Sequence, residues 1–226
     1  MVLPTDNALA PEPVIPIERW PLRGGATCLD FANTIAWRPL PRPYDGLRSY
    51  DDLLLWSHHA GLLSLDDAAR LRERATGDPE AAAATLAEAA RLREAIHRLF
   101  TALAHGRDWE TVDLATINYF LVAGMTHSAL ASEGERFVFR LPAGEAALAM
   151  PLWLLAESAA RLLLSGDWRR VRECPGHDCG WLFLDQTKNG NRRWCDSADC
   201  GNRARVRAHQ QRQRERARQR EPSAQA

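Results

Sequence analysis

The sequence predicts a mainly α-helical fold of the α+β class, with short β-hairpins and a small cysteine-rich unit near its C-terminal end. Two observations predict this fold. Apolar residues recur at helical spacing through most of residues 23–165. Four of the five cysteines lie between residues 174 and 200, in two pairs with the same internal spacing. The chain has 226 residues, 46% of them hydrophobic and 26% charged, which is the composition of a globular protein with a substantial core.

Charge is distributed unevenly along the chain. The formal net charge is zero, with 29 basic and 29 acidic residues. Residues 166–226 carry fourteen Lys and Arg against eight Asp and Glu, which leaves a net charge of −6 on residues 1–165. An acidic first part and a basic second part indicate two different tasks.

The N-terminal stretch does not resemble a secretory signal, because it has neither a basic start nor a long apolar segment. The longest strictly apolar run, residues 146–156, has eleven residues, well short of the roughly 20 that span a bilayer. We therefore expect no membrane partner and a reducing, cytoplasmic location. In that setting paired cysteines bind metal more often than they form disulfides.

The first elements follow from prolines, glycines and capping residues. Residues 1–22 are rich in proline and are predicted to form an N-terminal arm. Residues 24–37 are predicted to be a short strand or turn that leads into a helix, and the prolines of "RPLPRPYDGL" indicate a loop. Helix-starting and helix-ending residues delimit the next three helices: Ser49 to Gly61, Ser64 onward, and Pro79 to Gly106.

The second half of the helical domain contains two more helices with a hairpin between them. "DWETVDLATINYFLVAG" is predicted to be a helix. Phe137 and Phe139 alternate with other side chains after a Glu-Gly turn, which predicts a β-hairpin. "GEAALAMPLWLLAESAARLLLSG" is helical again, with Leu152 and Leu155 facing the core. Together these elements predict a helical domain over residues 23–165.

The two cysteine pairs are the most specific motif of the sequence. Each pair has four intervening residues: Cys174 with Cys179, and Cys195 with Cys200. Thiolates are the usual structural ligands of zinc, and two short pairs bring four of them together. Disulfides or four ordinary buried cysteines are the alternatives, and His177 is an alternative ligand. A closed four-thiolate site has no open position for water, so we expect one structural zinc ion.

The residues around the cysteines predict the topology of residues 166–208. Residues 181–185 have the composition of a strand, Asn189-Gly190 favours a tight turn, and residues 192–195 are predicted to be the return strand. A helix without proline follows the last cysteine. A cysteine loop, a hairpin and a second cysteine loop at the start of a helix are typical of a treble-clef-like zinc finger. Residues 209–226 are predicted to form a basic tail.

Three motifs carry a resemblance to known families. "CGNR" at residues 200–203 resembles the motif that names the CGNR zinc-finger family. "CLDFANT" at residues 28–34 resembles the start of the ABATE domain, the usual N-terminal partner of that finger, and "LREAIHRLF" at residues 92–100 is similar to its long helix. The resemblance covers nearly the whole chain after residue 22. It implies a stress-induced transcription regulator with a structural zinc site and a DNA-binding finger.

Basic residues around the second cysteine pair are candidates for DNA contact, because arginine binds phosphate and guanine edges through its two-pronged guanidinium group. The candidates are Lys188, Arg192, Arg193, Arg203, Arg205 and Arg207. Alternatively, these arginines neutralise the zinc–thiolate cluster, or the finger is a zinc-stapled protein–protein interaction module without DNA binding. One finger offers a small contact area, so we expect a homodimer or the basic tail to contribute.

The helical domain offers one candidate site of its own. Asp30, Asn33 and Thr34 are polar residues beside an apolar face, and in one interpretation they line a small-molecule pocket with Arg91 or Arg93. In the other interpretation they make internal hydrogen bonds. The sequence contains no Gly-rich phosphate loop, nucleophile elbow or metal-hydrolase motif, so we do not expect an enzyme. The sequence therefore predicts a zinc-dependent, DNA-binding transcription regulator whose N-terminal domain senses a ligand or mediates assembly.

Overall fold

The structure is a computed structural model that describes residues 15–140 and 147–220. These residues form seven α-helices and three antiparallel pairs of short strands, which confirms the predicted mainly α-helical fold. Residues 1–14 of the predicted arm and residues 221–226 of the predicted tail lie outside the described part. Of the helices that are described, none is long and apolar enough to cross a bilayer.

The elements are as follows in chain order. The α-helices are α1 (Thr27–Ala32), α2 (Tyr50–His59), α3 (Leu65–Gly77), α4 (Pro79–Ala104), α5 (Thr111–Thr126), α6 (Met150–Leu164) and α7 (Cys200–Arg220). The strand pairs are β1 (Ile35–Ala36) with β2 (Tyr44–Asp45), β3 (Ala129–Glu133) with β4 (Arg136–Arg140), and β5 (Val171–Glu173) with β6 (Leu182–Leu184). Short 3-10 helices cover Ile17–Arg19 and Asp167–Arg170.

Side-chain caps begin three helices where the sequence predicts them. Ser49 accepts a hydrogen bond from the backbone N–H of Asp52, and the Asp52 carboxylate accepts one from the N–H of Ser49, which completes a capping box at the start of α2. Ser64 caps α3 through the N–H of Asp67, and Asp78 caps α4 in the same way. These caps satisfy backbone donors that the first helical turn leaves free.

The longest helix, α4, lies at the centre of the helical body that α1 to α6 form. It packs against α1, α2, α3, α5 and α6. Its apolar stripe is buried at Leu92, Ile96 and Leu99. Leu152 and Leu155 of α6 are buried as predicted. The helical spacing of these residues therefore identifies the core correctly.

The predicted hairpin between α5 and α6 is confirmed. β3 and β4 pair in register from Ala129 opposite Arg140 to Glu133 opposite Arg136. Gly134 in the turn has a φ of 63°, a left-handed conformation that glycine adopts without steric cost.

The hairpin predicted between the two cysteine pairs is wrong in one strand. Residues of the predicted first strand form β6, but β6 pairs with β5, which precedes Cys174, and Val171 lies opposite Leu184. Residues 192–195 form no strand. The buried carboxylate of Asp185 accepts hydrogen bonds from backbone N–H groups of the segment that follows β6. These donors are therefore satisfied by a side chain rather than by a strand ladder, and the segment forms a loop.

The β5–β6 hairpin shares the core of the helical body. The side-chain amide of Asn33 donates to the carbonyl of Leu182 and accepts from its N–H, each at 2.8 Å. The indole N–H of Trp181 donates to the carbonyl of Ile35 at 2.9 Å. Phe183 is fully buried, and β6 packs on α1 and α4. The cysteine-rich unit is therefore firmly attached to the helical body.

Candidate metal centre

The four paired cysteines meet in one cluster. Cys174 directly follows β5 and Cys179 lies shortly before β6, so the first pair is in the loop of the β5–β6 hairpin. Cys195 follows the loop that Asp185 holds, and Cys200 is the first residue of α7. All four cysteines are buried, and their Sγ atoms lie within 4.8 Å of one another. The loop of the β5–β6 hairpin thus supplies the first pair. The loop before α7 and the first residue of α7 supply the second pair.

Distances within the cluster fit a metal tetrahedron and do not fit a disulfide. The Sγ atom of Cys195 lies 3.6 Å from that of Cys179 and 3.6 Å from that of Cys200. A disulfide has an S–S distance of about 2.05 Å. Sulfurs bonded to one zinc ion at about 2.3 Å are about 3.8 Å apart. The four cysteines therefore form a site for one structural zinc ion, and His177 is not among the clustered ligands.

Three residues near Cys200, the last ligand, are in close contact with the cluster or with the loop before it: Gly176, Gly201 and Arg203. A Cβ atom on Gly201 would lie 3.1 Å from Cδ1 of Trp194, so a larger residue would push the first turn of α7 away from the loop. A Cβ atom on Gly176 would lie 3.4 Å from the Sγ of Cys200. One turn into the helix, Nη2 of Arg203 donates to the Sγ of Cys200 at 3.3 Å.

The Arg203 side chain connects the cluster to two acidic residues. Its Nη1 donates to Asp178 at 3.0 Å, and its Nε lies 3.0 Å from Asp199. The contact with Cys174 and burial raise the pKa of Cys200, but hydrogen bonds with Cys179, Cys195 and Arg203 hold this pKa below its usual value. The guanidinium group therefore favours the thiolate, which is the form that binds metal.

Arg192 is tied to the inside of the finger. Its guanidinium donates to the carbonyl oxygens of Arg23 and Cys195, at 2.9 and 2.6 Å, and lies 4.5 Å from the centre of the Phe183 ring. Two further carbonyl oxygens, from β6 and from the loop before Cys195, accept its remaining contacts. A phosphate would have to displace these bonds. These bonds give Arg192 a structural role, and DNA contact by this residue stays a prediction.

The arginines of α7 occupy different faces of the helix. Nη2 of Arg207 donates at 3.2 Å to the same Asp178 oxygen that Arg203 contacts. Arg205 points elsewhere and donates to the carbonyl of Ser197 at 3.3 Å. Arg203 is half-buried, whereas Arg205 and Arg207 are exposed. The structure thus assigns Arg203 to the cluster and leaves the other two at the surface.

The remaining basic candidates are at the surface of the loop before Cys195. Lys188 and Arg193 are exposed, and the guanidinium of Arg193 lies 5.0 Å from the ring centre of Trp194. Sequence reasoning missed Asp178, which binds two arginines of α7. Its signal is an acidic residue between the cysteines of the first pair, followed later by two arginines four residues apart on a helix.

Two of the predicted pocket residues are used for hydrogen bonds within the core. The carboxylate of Asp30 accepts from the backbone N–H of Gly24 at 2.6 Å, and burial raises its pKa to about 6. Asn33 uses both ends of its amide on Leu182 of β6. The two Asn33 contacts attach the finger hairpin to the end of α1, whereas the Asp30 contact holds the segment that precedes α1.

The other three predicted pocket residues lie in two environments. Arg93 donates to the hydroxyl of Thr34 at 3.0 Å and to the carboxylate of Asp45 at 2.5 Å. Arg91 instead lies over the ring of Tyr119 on α5. These contacts agree with the interpretation in which the polar residues make internal hydrogen bonds, and a small-molecule pocket at these residues stays a prediction.

A crevice of about 220 Å³ lies where the helical body meets the zinc site. Trp20, Trp37 and Trp181 contribute its aromatic side, Arg23 and Asp199 are among its polar residues, and three of the clustered cysteines also line it. Trp37 has a φ of 56°, a left-handed conformation that is uncommon for a bulky side chain. The crevice is smaller than most ligand pockets, but it touches both units.

Comparison with known families matches two adjoining parts of the chain. Residues 25–166 match the ABATE family, described as "Putative stress-induced transcription regulator", and residues 170–213 match the CGNR zinc finger. Both matches confirm the resemblance found in the sequence. No curated protein matches the chain significantly. Because the first match covers more than half of the 226 residues, the chain belongs to the ABATE family, and its clustered cysteines are the zinc ligands of a CGNR finger.

Proposed function

We propose that the protein is a DNA-binding transcription regulator and that α7 is the element that contacts DNA. The observation that carries this proposal is an exposed basic helix. Every side chain from Arg205 to Ala217 is exposed, and this stretch contains five arginines and a single acidic residue, Glu215. The carboxylate of Glu215 accepts a hydrogen bond from Gln211 rather than from an arginine. A polyanion is the partner that such a surface fits.

The zinc cluster gives this helix a fixed origin. α7 has 21 residues, which corresponds to a length of about 30 Å. Its outer part has few apolar side chains, and isolated helices of this size are only marginally stable in water. Cys200 binds the metal and Arg203 binds Asp178, so the first turn is held in place. The outer turns then project from a rigid base, as insertion into a major groove requires.

The arginines best placed for DNA include one of the sequence candidates, Arg205, and two residues further along α7. Arg205, Arg212 and Arg216 share one face of α7, because seven and four residues separate them. This face is opposite the one that carries Arg203 and Arg207, which bind Asp178. Lys188 and Arg193 remain candidates for phosphate contact from the neighbouring loop.

The helical body is proposed to regulate the finger. Hydrogen bonds from Asn33 to Leu182 and from Trp181 to Ile35 join the body to the β5–β6 hairpin. A shift of α1 would therefore move the hairpin that holds the first two zinc ligands. A molecule bound in the crevice between the two units would contact both of them. These contacts support a body that senses a ligand or mediates assembly.

The test is fluorescence anisotropy of zinc-loaded protein with mixed-sequence duplex DNA over a series of salt concentrations. We expect binding that weakens steeply with salt, because each lost phosphate contact removes about 0.9 from the slope of log affinity against log salt. The double variant Arg212→Gln/Arg216→Gln should reduce that slope by about 1.8. Glutamine keeps the helix propensity, so the change tests charge.

The matched control is Arg70→Gln/Arg74→Gln, which removes two exposed arginines from α3. It should bind DNA like the unmodified protein. No binding at low salt would contradict the proposal and would favour a zinc-stapled protein–protein interaction module. An equal loss in both double variants would show that net charge, rather than α7, determines the affinity.

A further inference from the structure

Helix α5 has an exposed face without a single charged residue. The exposed residues of this face are Thr111, Val112, Ala115, Asn118, Tyr119, Val122, Met125 and Thr126. The four largest apolar members are between 59% and 64% exposed. The charged residue of the helix, Asp113, is buried and bound to Arg98. Solvent-facing helices normally carry charge on their outer face, so this face has the composition of a covered surface.

The spacing of the exposed face is that of a helix–helix seam. Val112, Ala115, Tyr119, Val122 and Thr126 follow one another in alternating steps of three and four residues. This is the heptad spacing that lets two helices interdigitate along their length. If two copies of α5 pair antiparallel with Tyr119 near a two-fold axis, Ala115 of one copy faces Val122 of the other. A small residue then faces a larger one on each side of the axis.

The surroundings of the face extend it. At one edge, Arg91 lies over the ring of Tyr119 and is neutralised by a salt bridge with an acidic neighbour. Beside Met125, a mainly apolar groove of about 240 Å³ separates α5 from α6. The hairpin that follows α5 exposes two more large apolar side chains, Leu130 and Phe137. The apolar surface is therefore larger than the helix alone.

We infer that α5 is the interface of an antiparallel homodimer in which a second copy of the chain covers this face. Stable interfaces bury about 800 Å² on each partner. A 16-residue helix is about 24 Å long and supplies only part of that area, and the groove and the hairpin supply the rest. A charged partner would leave its charges unpaired here, whereas a second copy brings the same uncharged seam.

The position of α5 is compatible with DNA contact by both copies. α5 packs against α4 and α6, whereas the β5–β6 hairpin packs against α1 and α4. A pair formed through α5 therefore leaves α7 accessible in each copy. The inference does not depend on DNA binding, since it concerns the free protein.

Analytical ultracentrifugation of the zinc-loaded full chain tests the inference. We expect a dimer at micromolar concentrations. Val122→Glu and Ala115→Lys each place two unpaired charges in the seam and should weaken dimerisation by at least about 100-fold. Leu65→Glu, at another exposed apolar residue on α3, is the matched control and should leave the dimer unchanged. Circular dichroism checks that each variant is folded.

Mixing the two seam variants tests the antiparallel arrangement itself. Residue 115 of one copy faces residue 122 of the other, so Lys and Glu meet in a mixed dimer and dimerisation should recover. A parallel pair would place neither charge opposite the other and would not recover. A monomeric unmodified protein, a Val122→Glu variant that still dimerises, or a mixture that stays monomeric would overturn the inference.

Discussion

Arginines next to the zinc cluster and arginines on the outer half of α7 have opposite surroundings. Arg192 meets four carbonyl oxygens and an aromatic ring, and Arg203 meets two carboxylates and a thiolate. Arg212 and Arg216 are exposed on the outer half of α7. A guanidinium binds wherever acceptors match its planar donors. Among the described residues of the finger, such acceptors surround Arg192 and Arg203. Counting positive charges therefore does not distinguish a DNA-contacting arginine from a structural one.

Removing zinc is expected to have the largest effect, because the metal holds the loop that binds the arginines next to the cluster. Without the metal, four buried thiols lose their common centre, and the loop whose carbonyls hold Arg192 loses its attachment at Cys195. Because β5 and β6 belong to the core, the effect should reach the helical body. We expect chelation to lower the free energy of unfolding by more than about 3 kcal/mol. Urea unfolding followed by tryptophan fluorescence, with and without chelator, measures the change.

Elemental analysis of cysteine variants provides the control for zinc removal. Cys195→Ser should lose stoichiometric zinc, whereas Cys28→Ala should retain it, since Cys28 is buried away from the cluster and burial raises its pKa to about 12. A chelated protein with unchanged unfolding would show that the finger contributes nothing to the core.

Single substitutions compare how much a buried and an exposed arginine contribute to the stability of the protein. Arg192→Ala leaves several carbonyl oxygens without a donor and removes a cation–π contact, so we expect a loss of about 2 to 4 kcal/mol in the free energy of unfolding. Arg212→Ala, on the exposed part of α7, should stay within about 0.5 kcal/mol of the unmodified protein. Urea unfolding midpoints measure both variants. Equal midpoints would mean that the two arginines are equivalent.

The difference between the two settings also shows what sequence can predict. The cysteine spacing identifies the zinc ligands, and capping residues such as Ser49 and Ser64 identify helix starts, because both signals are local. The strand partner of β6 is not predicted, since the segment after Asn189-Gly190 is a plausible return strand by composition. Its backbone donors are satisfied by the side chain of Asp185, which is a tertiary contact.

The sequence leaves the roles of Arg192 and of the polar residues beside α1 open for the same reason. Asn33 and Leu182 are 149 residues apart in the chain, and Arg192 and Arg23 are 169 apart. Local sequence patterns do not predict contacts between residues so far apart in the chain. Polar residues beside an apolar face can line a cavity or bind a distant backbone group, and only the packing of β6 on α1 decides between these outcomes.

The smallest effect is expected for zinc affinity. Here Arg203 and Arg205, which lie within one turn of α7, should behave differently. Arg203→Ala removes the positive charge beside Cys200, so the thiolate becomes less favourable and protons compete better with the metal. We expect zinc affinity to fall about 10- to 100-fold, and the loss should grow as pH decreases. Arg205→Ala removes the same charge from the opposite face and should leave the affinity nearly unchanged. Competition with a chromogenic chelator at several pH values measures both variants. Equal losses would mean that net charge near the helix start, and not the hydrogen bond from Arg203 to the Cys200 sulfur, stabilises the thiolate.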